Sequence, residues 1–92
     1  SAEEALRIGL VNELAPQAEL LPRCETIANQ IIANAPVAVR LAMEAVHRGA
    51  DMALAEGLFL EATLFGLSCA TEDRKEGTRA FLEKRKPGFA GR

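Results

Sequence analysis

The stretch Met52 to Ala70, MALAEGLFLEATLFGLSCA, restricts the fold more than any other part of the chain. Wound as a helix at about 100° per residue, it places Leu54, Ala55, Leu58, Ala62, Phe65 and Cys69 on one face and Leu60, Leu64 and Leu67 on the opposite one. Glu56 and Glu61 are its only charges. A helix apolar on both sides needs cover on both sides. A chain of 92 residues can supply only a few short helices, too few to enclose one of their own number. The Leu60–Leu64–Leu67 face is therefore expected to meet another chain or another domain. The competing arrangement is the central helix of a self-contained bundle.

The remaining segments read as helices too. Ser1-Ala2-Glu3-Glu4 has the spacing of a capping box opening a short helix that ends near Gly9. After a loop containing Pro16, apolar residues recur at Leu20, Leu21, Cys24, Ile27, Ala28, Ile31 and Ile32, a helical period with Pro22 in or just before the first turn. Asn34-Ala35-Pro36 ends that helix and starts a third, PVAVRLAMEAVHRG, with Pro36 suited to the first helical position. His47 and Arg48 favour its negative end, and Gly49 is free to turn left-handed there. Asp51 is placed to cap the fourth helix, and Asp73 with Glu76 forms a D-x-x-E pair that would cap a fifth, next to Gly77. No strand pattern and no internal repeat is present, so the expected fold is all-α, four to five short helices in one domain over residues 1–92.

Composition excludes several classes of function. With 49% apolar and 26% charged residues, the chain is that of a water-soluble globular protein, and it has no apolar run long enough for a membrane span. Its opening residues are acidic where a secretory or mitochondrial leader would be basic. Two cysteines without a CxxC, beside one histidine, support neither a zinc site nor a disulfide; Cys24 and Cys69 read as buried thiols of a reducing compartment. The net charge of −2 hides an asymmetry: Glu72–Arg92 carries seven Lys/Arg against four Asp/Glu, so a polyanion would meet this end. Nucleic acid is a poor candidate, because Phe81 is the one aromatic in this last helix and the isoelectric point is about 5.4. Nor is there a catalytic constellation: the chain has no phosphate loop after a strand, no Ser/His/Asp set, and no catalytic or metal-ligating residue to nominate. The basic run Lys84-Arg85-Lys86 exceeds what a helix end requires, although a solvated face is the commonest meaning of such a run.

Two stretches carry a resemblance. SAEEALRIGLVNEL, and ATEDRKEGTRAFLEKRKPGFAGR with its Asp73, Glu76, Gly77, Ala80, Phe81, Glu83, Lys84 and Arg85, are joined by NAPVAVRLAMEAVHRG and LAEGLFLEATLFG. Together they closely resemble the C-terminal third of the crotonase superfamily, the enoyl-CoA hydratases and isomerases. The resemblance implies a fragment of a longer parent, whose N-terminal spiral of β-β-α turns holds the acyl-CoA, the oxyanion hole and the catalytic glutamates. The helices would then cover the active site and form subunit contacts in a trimer or dimer of trimers. By that comparison Phe81 and Lys84 match residues that reach bound CoA, often in a neighbouring subunit, the aromatic against its apolar or adenine part and the ammonium near a phosphate. Leu60, Leu64, Leu67 and the stripe around Met43, where many relatives have lysine, are the expected oligomer interface. The implied parent activity is syn hydration of a trans-2-enoyl-CoA, as in fatty acid β-oxidation, with acyl-CoA as substrate and no separate cofactor, no metal, no nucleic acid and no membrane. The 92 residues alone are expected to be inactive, and the parent to be cytoplasmic in a bacterium or in the mitochondrial matrix of a eukaryote. The alternatives are another superfamily activity, such as an isomerase, decarboxylase or dehalogenase, or a stand-alone helical interaction module.

Overall fold

A computed structural model describes residues Ser1–Arg92 and contains helices only: α1 (Ala2–Arg7), a short 3₁₀ turn (Gln17–Glu19), α2 (Leu20–Ile32), α3 (Pro36–Gly49), α4 (Leu54–Cys69) and α5 (Glu72–Leu82). The all-α expectation is met, with five α-helices. Contacts divide the chain into two units, Ser1–Gln30 and Ile31–Arg92. No single helix is long and apolar enough to cross a membrane.

In the first unit, α1 starts as expected only in part. The Ser1 hydroxyl accepts from the Glu4 N–H at 3.2 Å, but the Glu4 carboxylate pairs with Arg7 instead of reaching back to the cap. Gly9, at φ +76°, closes the helix: its N–H donates to the Leu6 carbonyl and the Leu10 N–H donates to the Ala5 carbonyl, the two bonds of a Schellman turn. A bidentate Arg23–Glu13 pair, at 2.6 and 2.8 Å, ties the following loop to α2. Pro22 lies in the first turn of α2, where its missing N–H removes no intrahelical bond. Neither α1 nor α2 buries a residue, and the apolar stripe of α2 stays exposed, Cys24 included.

The second unit is built on the α3–α4 pair. Pro36 is the first residue of α3, as its fixed φ favours. Gly49 does not turn left-handed: it is the last helical residue, and the chain continues through Ala50 at φ −62°. Its use is steric. A Cβ placed on Gly57 would lie 3.7 Å from both the Cα and the carbonyl oxygen of Gly49, so the end of α3 and the start of α4 meet backbone to backbone. Asp51 does not cap α4. The helix begins only at Leu54, after Ala53, with no side-chain cap.

Burial also corrects the reading of the two faces of α4. Leu64 is only 7% exposed and, with Leu41 of α3, is one of the buried leucines of this unit. Gly57, Leu60 and Ser68, at helical spacing from Leu64, are half-buried. The chain therefore covers the Leu64 part of this face itself, and Leu64 leaves the list of residues free to meet a partner. Leu67, on the same face, is 55% exposed, and on the opposite face Leu54 (79% exposed), Leu58 and Phe65 are all exposed. Leu41, Leu64 and Ala80 are the only apolar residues buried, whereas twenty large apolar side chains are exposed. That imbalance argues against a self-contained bundle.

Candidate functional site

Helix α5 turns 77° away from α4. Its cap is not the D-x-x-E pair. Thr71 holds the N-cap position, its hydroxyl accepting from the Arg74 N–H at 3.1 Å and donating to the Ser68 carbonyl at 2.7 Å. A threonine is an ordinary N-cap, and with that position filled both acids are available for longer-range bonds.

Asp73 is 2% exposed. Its carboxylate accepts from the Ala90 N–H at 2.7 Å and the Gly91 N–H at 2.8 Å, while its own N–H donates to the Arg92 carbonyl at 3.0 Å. A carboxylate this deeply buried needs such partners. One turn on, Glu76 accepts from Arg85 through both oxygens, at 2.6 and 3.0 Å, and from the Gly88 N–H at 2.9 Å. The guanidinium and, second to it, the Gly88 N–H hold the Glu76 carboxyl down to about 2. Arg85 is in turn raised above the usual guanidinium range by Glu76 and Glu83. Gly77 leaves room for the Phe89 ring: a Cβ there would meet Phe89 Cε1 at 3.3 Å. Gly91 has φ +76°, and a Cβ placed on it would lie 3.7 Å from the Pro36 ring at the start of α3. Asp73, Glu76 and Gly77 thus form one edge of α5 that clasps residues 85–92 along it.

The opposite end of this clasp is the turn that closes α5. The Lys84 N–H donates to the Phe81 carbonyl at 3.2 Å and the Arg85 N–H to the Ala80 carbonyl at 3.0 Å, the same Schellman pattern that ends α1. Here, however, the left-handed position is held by Lys84, at φ 53°, and not by glycine. A side-chain-bearing residue in that region is disfavoured by about 1–2 kcal/mol. Phe81, whose carbonyl closes the turn, is 82% exposed. Glu83 and Arg85 are paired with each other, yet no salt bridge includes Lys84, Arg79 or Lys86. The structure therefore places Phe81 and Lys84 on one hydrogen-bonded turn, with an open aromatic face and a free ammonium.

The other sequence-derived candidates are distributed differently. Leu60 is half-buried and Leu67 and Met43 are exposed, while Leu64 is buried as described. Between α3 and α4 runs an open groove of about 980 Å³, with Ala45, Val46, Leu58 and Phe65 in its walls and Glu61 the only charge. Cys69 is half-buried and Cys24 exposed, both as free thiols, so neither is the buried core residue expected. No three His, Cys, Asp or Glu side chains converge on a common point.

The chain is similar to known proteins in sequence and in fold. The sequence profile described as enoyl-CoA hydratase/isomerase matches residues 1–92, the full length of the chain. The chain belongs to the enoyl-CoA hydratase/isomerase family. It corresponds to the helical C-terminal region of crotonase-fold enzymes. The short-chain-enoyl-CoA hydratase of Clostridium acetobutylicum is 47% identical over 92 residues, covering 99% of this chain and 35% of that protein. An enoyl-CoA isomerase/hydratase of Mycosarcoma maydis is 38% identical over 92 residues, covering 100% and 34%. Among solved structures, an enoyl-CoA hydratase from Bacillus anthracis superposes with a TM-score of 0.96 at 41% identity, covering 100% of this chain and 36% of that one. The chain spans about a third of the length of the relatives it matches.

Sequence reasoning missed the clasp. It took Asp73 and Glu76 as a cap because their spacing fits one, and the signal against that was Thr71, which is itself a cap residue placed just ahead of them.

Proposed function

We infer that these residues belong to an enoyl-CoA hydratase that adds water syn across the double bond of a trans-2-enoyl-CoA thioester, giving the 3-hydroxyacyl-CoA. The supporting observation is the turn at the end of α5, where Lys84 keeps a strained left-handed backbone and an unpaired ammonium beside an aromatic ring left open to solvent. Strain of this kind points towards use of the residue. In this reading the Lys84 ammonium approaches a phosphate of coenzyme A as a mobile point charge, and Phe81 lies against an apolar or adenine part of it. The exposed Leu67 and Met43, with half-buried Leu60, lie towards other subunits of a trimeric assembly or its doubled form, in a cytoplasmic or mitochondrial-matrix enzyme. The helical segment covers the acyl-CoA site and carries no catalytic group, so on its own it is inactive. A double-bond isomerase is the second reading, favoured by the family description, which includes both activities.

The test is Lys84→Ala in the full-length protein that carries this sequence. KM for crotonyl-CoA is expected to rise while kcat stays close to that of the parent, because uniform binding is lost and not transition-state stabilisation. An unchanged KM, or hydration of crotonyl-CoA by the isolated 92 residues, refutes the reading.

A further inference from the structure

Two helices of this chain end in the same hydrogen-bonded turn, and they hold it by different means. At the end of α1 the left-handed residue is Gly9, which adopts that backbone without steric conflict. At the end of α5 it is Lys84, and nothing in a lysine favours the conformation, so the turn must be held from outside. What holds it is visible in the bonds of the next residues. Arg85, immediately after Lys84, is gripped by both oxygens of Glu76, and it also donates to Glu83 Oε2 at 2.6 Å and to the Lys86 carbonyl at 3.2 Å. Glu76 Oε1 takes the Gly88 N–H as well. One carboxylate therefore fixes the chain on the far side of the turn at two points, residues 85 and 88, against the middle of α5. The tail beyond is held separately by Asp73, so loosening Glu76 leaves residues 90–92 docked.

We propose that Glu76 is a positioning residue for acyl-CoA binding, acting through Arg85 and the Gly88 N–H to hold the turn that presents Lys84 and Phe81. The inference rests on the coenzyme A reading of those two residues. A turn already ordered loses less freedom when ligand arrives, so the clamp acts on binding and leaves the chemical step alone. Glu76 touches no ligand in this account; its effect passes through Lys84.

The experiment is a double-mutant cycle in the full-length protein, measuring KM and kcat for crotonyl-CoA in the wild type, Glu76→Gln, Lys84→Ala and the double variant. Glu76→Gln is expected to raise KM roughly three- to tenfold with kcat within about twofold, and that increase is expected to shrink to within about twofold once Lys84 is alanine. A merely structural role would raise KM by the same factor in both backgrounds, or lower kcat with it, and either result overturns the proposal, as does an unchanged KM in Glu76→Gln. An unchanged KM in Lys84→Ala removes the coenzyme A reading itself and the inference with it, so the two failures are told apart. Should Glu76→Gln lose its helical circular dichroism, Arg85→Gln carries the same cycle from the other side of the pair.

Discussion

Replacing Asp73 by asparagine tests the clasp at its most buried point. The carboxylate is 2% exposed and accepts two backbone N–H groups, from Ala90 and Gly91, at 2.7 and 2.8 Å. An amide keeps one acceptor oxygen but turns an NH₂ towards the second donor, so one charge-assisted bond is lost and the other weakened. Hydrogen bonds to a charged partner contribute about 1.5–3 kcal/mol each, which gives a loss of about 2–3 kcal/mol for the pair. If the tail unfolds with the rest of its unit, Tm falls by roughly 8–24 °C, taking 4–8 °C per kcal/mol for a domain of this size. If the tail instead detaches alone, the loss appears as local opening, and the Ala90 and Gly91 amides exchange about 30- to 150-fold faster at an unchanged Tm. Thermal circular dichroism and amide exchange followed by NMR separate the two cases. A variant that melts within a degree of the wild type and whose Ala90 and Gly91 amides exchange at the wild-type rate would refute the claim that Asp73 holds the tail.

Two further outcomes are expected. Lys84→Gly relieves a left-handed strain of about 1–2 kcal/mol against about 0.4–1 kcal/mol of added unfolded-state freedom, so stability in a denaturant titration should hold or rise, by up to about 1.6 kcal/mol; a loss of stability means the lysine is not strained. The acid limb of stability should depend on Glu76. Its carboxyl lies near 2 in the folded chain against an ordinary value near 4.5, so its contribution is complete above pH 4.5 and is lost as pH falls towards 2. Glu4, Glu13 and Glu72 are lowered in the same sense by Arg7, Arg23 and Lys75. Glu76→Gln should flatten the dependence of Tm on pH in that window, and a variant that keeps the wild-type slope contradicts the assignment.

The helices were legible because they depend on local chemistry. The period of apolar residues in α2 to α4, Pro36 at the start of α3 and Gly9 at the end of α1 all act within a turn of where they stand. The clasp was not legible, because the partners of Asp73 lie 17 and 18 residues away and those of Glu76 lie 9 and 12 away. A spacing of three residues describes a helix cap equally well, and only the fold shows that Thr71 already holds that place. The two faces of α4 were visible as two faces, but the sequence could not say that Leu64 alone among its leucines would be buried. Phe81 and Lys84 were named from family resemblance, and the physical oddity of Lys84, its left-handed backbone, has no counterpart in composition or period.

The glycine contact between α3 and α4 has a consequence for how tightly this architecture is specified. Where helices meet through leucines, a small misplacement is absorbed by a change of rotamer. At Gly57 the neighbour has no rotamer to change, since what a Cβ there would touch, at 3.7 Å, is the main-chain Cα and carbonyl oxygen of Gly49. The spacing of α3 and α4 at this point is therefore set by main-chain atoms, which cannot turn aside for a side chain that grows out of position 57.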